Sequence, residues 1–229
     1  MRVDLLCKPS YTAAYCQLRH GEGMYVEAGA MLAMSTGIKI TTGIGGGGLG
    51  RAIMRSTLGG ETFFMARYRA EIDETWVTIA PRYPGDLEVV DVAGGVWMVE
   101  AGALLAGSDT LTIDVKYAGI RLALMKEGLT MLKVSGASGL MVLSSYGGFT
   151  SLDLLEGQEV IVDTGHLVAF TEGIAIKIGL VGGVVTSQTS GEGLAAVLRG
   201  PGRVLLQTRS EQGTRSWLLP PQWESDRSK

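Results

Sequence analysis

Histidine and cysteine are nearly missing from this chain: His20, His166, Cys7 and Cys16 are the only ones in 229 residues. Hydrolytic triads and multi-histidine metal centres need imidazole as base or ligand, so a cupin-type site is excluded by count. A pair made from Cys7 or Cys16 with His20 is arithmetically open, but no motif supports it. The cysteine spacing matches no metal motif. Two reduced, half-buried thiols in a cytosolic protein are expected, although both cysteines fall in an N-terminal strand pair where a disulfide is geometrically open. No catalytic residues, metal ligands or cofactor motif emerge, and the chain reads as non-enzymatic.

Basic excess is also lacking. Lys and Arg number 20 against 23 acids, a net charge of −3, which argues against DNA or double-stranded RNA. No long apolar run is present. The longest uncharged stretch, 134–152, is interrupted by nine Ser and Gly residues; it reads as two strands and a turn rather than a membrane helix of about 20 apolar residues. The N-terminal apolar run is short and broken by charge, unlike a signal peptide. The expected location is cytoplasmic.

Glycine is abundant, at 34 residues against 6 prolines. That is about twice the usual share of roughly 7%, and it implies many tight turns. Runs of four to eight Val, Ile, Leu and Thr residues, separated by glycine pairs, recur along the chain. In Leu111-Thr112-Ile113-Asp114-Val115 the apolar residues share one face. The expected fold class is therefore all-β.

A ten-residue pattern occurs three times. Residues 24–33 read MYVEAGAMLA, 97–106 read WMVEAGALLA, and 160–169 read VIVDTGHLVA. Strands follow each copy. Glycine-led strands at Gly85–Val90, Gly139–Leu143 and Gly202–Leu206 are read as closing each module. This gives one domain over 1–215, with repeats at roughly 20–91, 92–152 and 153–210, and a tail over 216–229. One short helix is expected near 49–58, where Arg51 and Arg55 stand one turn apart.

Three segments together, Glu27–Met34, Arg51 through Phe64, and Val162–Ala169 with Gly200–Thr208, resemble the altered-inheritance-of-mitochondria family. That family comprises a fungal mitochondrial protein and uncharacterised prokaryotic homologues. Its fold is similar to that of the tryptophan-RNA-binding attenuation protein (TRAP-like). The resemblance covers about residues 2–210. It implies a β-sandwich-like core with pseudo-threefold repetition, a homotrimer, and no agreed biochemical activity. The fungal member is tied to organisation of the mitochondrial inner membrane, a role not carried over to a chain that shows no targeting segment.

Candidate ligand-binding residues are Arg51, Arg55, Glu61 and His166. The two arginines follow the glycine run 45–48, which lacks the Gly-Lys-Ser/Thr ending of a phosphate loop. They would face an anion or a lipid headgroup, giving a peripheral membrane contact. His166 stands where the other copies carry Ala30 and Ala103, so it either tethers its turn or contacts a ligand or subunit. Glu27, Glu100 and Asp163 recur at one position. Each is expected to accept hydrogen bonds from its own turn, with a shared cation site as the alternative. Arg67 and Arg69 around Tyr68 are the nearest approach to an RNA-stacking patch, and RNA is disfavoured.

The leading function is a non-enzymatic assembly or scaffold protein. A small-ligand, anion or lipid-headgroup module is the alternative, and RNA binding by fold analogy the third. Sheet edges and a mean hydropathy of +0.23 point to a homo-oligomer. Dimers are the default, and the resemblance moves the expectation to a trimer. Trp217, Leu218 and Leu219 are expected to be partly buried, against the core or a neighbour.

Overall fold

The computed structural model describes residues 1–41, 56–58, 61–63, 65–114, 130–179 and 195–219, with 56–58, 61–63 and 178–179 described by backbone alone. The described residues are mostly strand, and the strands pair antiparallel, as the period-2 runs and turn density dictate. The first third holds β1 (Arg2–Leu6), β2 (Ala13–Leu18), β3 (Gly23–Glu27), β4 (Met31–Met34), β5 (Ile38–Thr41), β6 (Ser56–Leu58), β7 (Glu61–Phe63), β8 (Met65–Ala70) and β9 (Thr75–Ile79). The middle holds β10 (Gly85–Asp91), β11 (Val96–Glu100), β12 (Leu104–Ser108), β13 (Thr112–Asp114), β14 (Met131–Ser135) and β15 (Leu140–Tyr146). The last third holds β16 (Phe149–Leu154), β17 (Glu159–Asp163), β18 (Leu167–Thr171), β19 (Ala175–Gly179), β20 (Ala195–Arg199) and β21 (Gly202–Gln207). A helix, α1 (Glu211–Leu218), follows.

The same pairings recur in each third. β3, β11 and β17 pair with β8, β14 and β20, and the acids Glu27, Glu100 and Asp163 stand opposite Met65, Met131 and Ala195. β5, β13 and β19 pair with the other edge of those strands. β4, β12 and β18 pair with β9, β15 and β21. Each of these three pairs carries a register shift at the same point, between Met31 and Ala33, Leu104 and Ala106, and Leu167 and Ala169. A bulge turns the next side chain to the other face: Leu104 packs into one core and Leu105 into its neighbour.

Neighbouring thirds are joined by strand pairing. β12 lies against β3 and β18 against β11, so two six-stranded sheets run in the orders β10-β15-β12-β3-β8-β5 and β13-β14-β11-β18-β21-β16. A four-stranded sheet, β1-β2-β9-β4, and a three-stranded sheet, β17-β20-β19, stand at the two ends. Three apolar cores fill the spaces between consecutive sheets. Cys16, Val77 and Ile79 meet Val26 and Leu105 in one, Val99 and Leu132 meet Leu143 in the next, and Phe170 meets Leu198 in the last. The inner sheets are therefore covered on both faces, which explains why their strands are less strictly alternating than a half-exposed strand would be.

Four expectations need correction or limiting. Ser56–Leu58 is strand paired with Glu61–Phe63, not the end of a helix; the remainder of the expected helix over 49–58 lies outside the described residues. The described helix is instead α1, capped by Ser210, whose side chain accepts from the Gly213 N–H at 3.1 Å, and it begins ahead of the expected tail boundary. Gly85–Asp91 does not close the first third. It pairs with β15 and opens the second, and β9 takes the position held by β15 and β21. The period-2 signal marks a strand but not its partner, which caused the misassignment. Finally, Trp217, Leu218 and Leu219 are 79%, 59% and 61% exposed, so within one chain the core does not cover them.

Gly85 opens β10 opposite Tyr146, and a Cβ there would overlap the Ser145 carbonyl oxygen. That oxygen is backbone and has nowhere to go. Gly85→Ala is expected to lower stability by about 2 kcal/mol or more, as overpacking does, read as a lower urea midpoint with an unchanged slope.

Candidate functional site

The three ten-residue motifs place three turns along a connected line of contacts. In the first, Ala30 N–H donates to the Glu27 carbonyl at 3.1 Å, and Gly29 takes φ +87°, a conformation that favours glycine. The second and third are single 3-10 turns over Ala101–Ala103 and Thr164–His166.

Side chains from the loop between β9 and β10, and from β15 and β21, bind these turns. Arg82 donates to the Ala28 carbonyl at 2.6 Å and lies 3.5 Å from Glu27. Tyr83 donates to the Gly102 carbonyl at 2.9 Å and lies 3.1 Å from the Ser144 hydroxyl. Its ring stacks on Tyr146 at 3.8 Å with an 8° interplanar angle. The Tyr146 N–H donates to Gln207 Oε1 at 2.9 Å, and Gln207 Nε2 donates to the Gly165 carbonyl at 2.9 Å. Arg82, Tyr83, Tyr146 and Gln207 thus tie all three turns together. Beside Arg82 and Tyr83 lies an open cleft of about 310 Å³, lined also by Tyr11, Thr12 and Pro84.

The acids behave differently from one another. Asp163 Oδ1 accepts from the Gly165 N–H at 2.8 Å, the expected self-capping. Glu27 pairs with Arg82 instead, and Glu100 makes no cap bond to its own turn. Among the described residues no group of three His, Cys, Asp or Glu side chains is placed to hold a metal.

His166 Nδ1 lies 2.7 Å from the Gln207 carbonyl, so the histidine ties its turn to the end of β21. Arg51 and Arg55 lie outside the described residues. Glu61 belongs to β7, of which only the backbone is described. Of the four candidates, His166 alone has its side chain described. Tyr68 is buried and Arg67 is bound to Asp109 at 2.6 Å, so the Arg67–Tyr68–Arg69 run offers no exposed stacking face. Sequence reasoning missed Arg82, Tyr83 and Gln207. The Pro-Arg-Tyr-Pro run 81–84 was the available signal: a rigid connection carrying two large polar side chains.

An all-β chain of antiparallel sheets in series, with its recurring turns held by side-chain hydrogen bonds, is the class of protein defined by this fold and site. The model of the family described as mitochondrial biogenesis AIM24 matches residues 3–209, and the chain belongs to that family. An uncharacterised protein of Streptococcus pyogenes serotype M6 is 27% identical over 96% of this chain and 92% of its own length. The crystal structure of a Streptococcus pyogenes protein superposes with a TM-score of 0.73 at 21% identity, covering 95% of this chain and 99% of that one, and shares the fold. No helix among the described residues is long and apolar enough to cross a membrane.

Three tests follow from the Tyr83 hydroxyl and the two thiols. Tyr83→Phe removes the donor to the Gly102 carbonyl and is expected to cost about 1 kcal/mol in urea unfolding. Burial pushes the Cys16 thiol up to about 12 from 9.0, and burial also raises Tyr83. Above pH 9 the unfolded chain loses the thiol proton while the folded chain keeps it, so the folded state binds more protons and stability falls as pH rises. The urea midpoint is expected to drop between pH 8 and pH 10.5, less steeply in Cys16→Ala. A maleimide should label the exposed Cys7 alone in the native protein.

Proposed function

We propose that this protein is a non-enzymatic assembly protein, a cytoplasmic building block that associates with further copies of itself, with a trimer as the expected state. One observation carries the reading: three sets of identical pairings stand side by side, joined strand to strand, and the series stops at a partial sheet at each end. This supports reading the chain as three copies of one module of the TRAP-like kind. A module that already joins to its neighbour twice within one chain is suited to joining between chains.

The contacts around the motifs favour this reading over a ligand module. His166, Arg82 and Tyr83 are all engaged in holding turns. The family's description adds a connection to mitochondrial biogenesis in its eukaryotic setting, at the level of the family alone.

Light scattering after size exclusion, at micromolar concentration, is expected to give a mass of three chains; the mass of one chain would overturn the proposal. A thermal-shift screen against nucleotides, metabolites and anionic lipid headgroups is expected to show no stabilisation. A strong shift that disappears in His166→Ala would reverse the ranking in favour of ligand binding.

A further inference from the structure

The two end sheets are complementary halves of the inner ones. Each six-stranded sheet consists of three strands from one third and three from the next, meeting at β12–β3 or β18–β11. The terminal sheets supply one half each. β2-β9-β4 ends in β4, the counterpart of β12 and β18. β17-β20-β19 ends in β17, the counterpart of β3 and β11. Placed edge to edge they would form β2-β9-β4-β17-β20-β19, the same order again.

The register is set by the two joints already formed. Val26 stands opposite Ala106, Tyr25 opposite Gly107 and Met24 opposite Ser108. Val99 stands opposite Ala169, Met98 opposite Phe170 and Trp97 opposite Thr171. The ten-residue motifs align these pairs residue for residue. The third joint would therefore pair Val162 with Ala33, Ile161 with Met34 and Val160 with Ser35.

Exposure shows that this third joint is open within one chain. Leu105 and Val168 are 0% and 1% exposed at the bulge, whereas their counterpart Leu32 is 58% exposed. Met98 is 3% exposed, whereas its counterpart Ile161 is 62% exposed. Ala106 and Ala169 are fully buried, and Ala33 is exposed. Side chains of the same apolar kind are thus covered at two joints and bare at the third.

The charges also fit. Each internal joint is braced by an ion pair, Arg67 with Asp109 at 2.6 Å and Lys133 with Glu172 at 3.3 Å. The acid's N–H also crosses the joint, from Asp109 to the Gly23 carbonyl and from Glu172 to the Val96 carbonyl, both at 3.0 Å. At the third joint the corresponding residues are Val197 and Thr36, so no charge is left unpaired by closing it. Exposed apolar edge strands invite pairing, and complementary ends on one chain generate a head-to-tail contact.

We infer that β17 of one copy pairs antiparallel with β4 of the next, in the register Val162–Ala33, Ile161–Met34, closing a head-to-tail ring of identical chains. The ring has its own consequence for the C-terminus. Ser210, the cap of α1, lies against Gly165 in the turn that ends β17. α1 therefore starts beside the turn at the end of β17, the strand that carries this contact between copies.

This inference rests on the assembly reading and specifies its contact. Ile161→Lys places a charge on the bare edge, where the native side chain is exposed, so the fold is expected to survive while the oligomer falls to a single chain by light scattering. Circular dichroism checks the fold. Independently, Met34→Cys with Ile161→Cys in a Cys7→Ser background is expected to form disulfides between chains on mild oxidation, seen as a ladder on a non-reducing gel. Glu159→Cys in place of Ile161→Cys, out of register, should not. A wild-type oligomer that keeps its mass in Ile161→Lys and gives no cross-link overturns this contact and leaves the assembly reading standing. A wild-type protein with the mass of one chain overturns the assembly reading itself. A disulfide formed within a single chain would overturn the inference by showing that the joint closes internally. If Ile161→Lys does not fold, the cysteine pair decides.

Discussion

Strand pairing between successive thirds is the interaction on which the rest of the structure depends. β12 on β3 and β18 on β11 convert partial sheets into six-stranded ones, and only then is there a surface broad enough to enclose an apolar core. Each joint is short, three residue pairs in register, but it satisfies backbone groups that would otherwise be buried without partners. The bulge in β12 and β18 is part of the same device. It places consecutive leucines or valines on opposite faces, so one strand contributes to two cores.

The cost of this design appears at its ends. A series of sheets joined strand to strand has a first and a last sheet, and these end in the edge strands β4 and β17. Natural sheets blunt such edges with charge, proline or a covering segment. β4 reads Met-Leu-Ala-Met and carries neither charge nor proline. Its apolar surface is the same in kind as that of the buried β12.

The turns that carry the recurring motif are occupied by structural contacts. Arg82, Tyr83, Tyr146 and Gln207 hold the three turns at fixed spacing, and the acids that recur at one sequence position have gone separate ways. Asp163 caps its own turn and Glu27 pairs with Arg82. Position in a repeat therefore predicts where a carboxylate sits but not what it does, because a partner such as Arg82 comes from a loop distant in sequence.

The sequence by itself determined the local states: the β class, the three turns, and the faces of strands such as Leu111 to Ile113, because side-chain alternation and glycine placement act over a few residues. The ten-residue motif also marked the strands that later proved to form the joints. Tertiary structure alone decided who pairs with whom. It moved Gly85–Asp91 from closing one third to opening the next, turned Ser56–Leu58 into a strand, and left Trp217 in solvent. It also separated the covered Leu105 from the bare Leu32, two residues that the motif makes equivalent. A strand's period records which side chains share a face, but not which edge will lie beside it. That choice belongs to contacts between residues tens of positions apart.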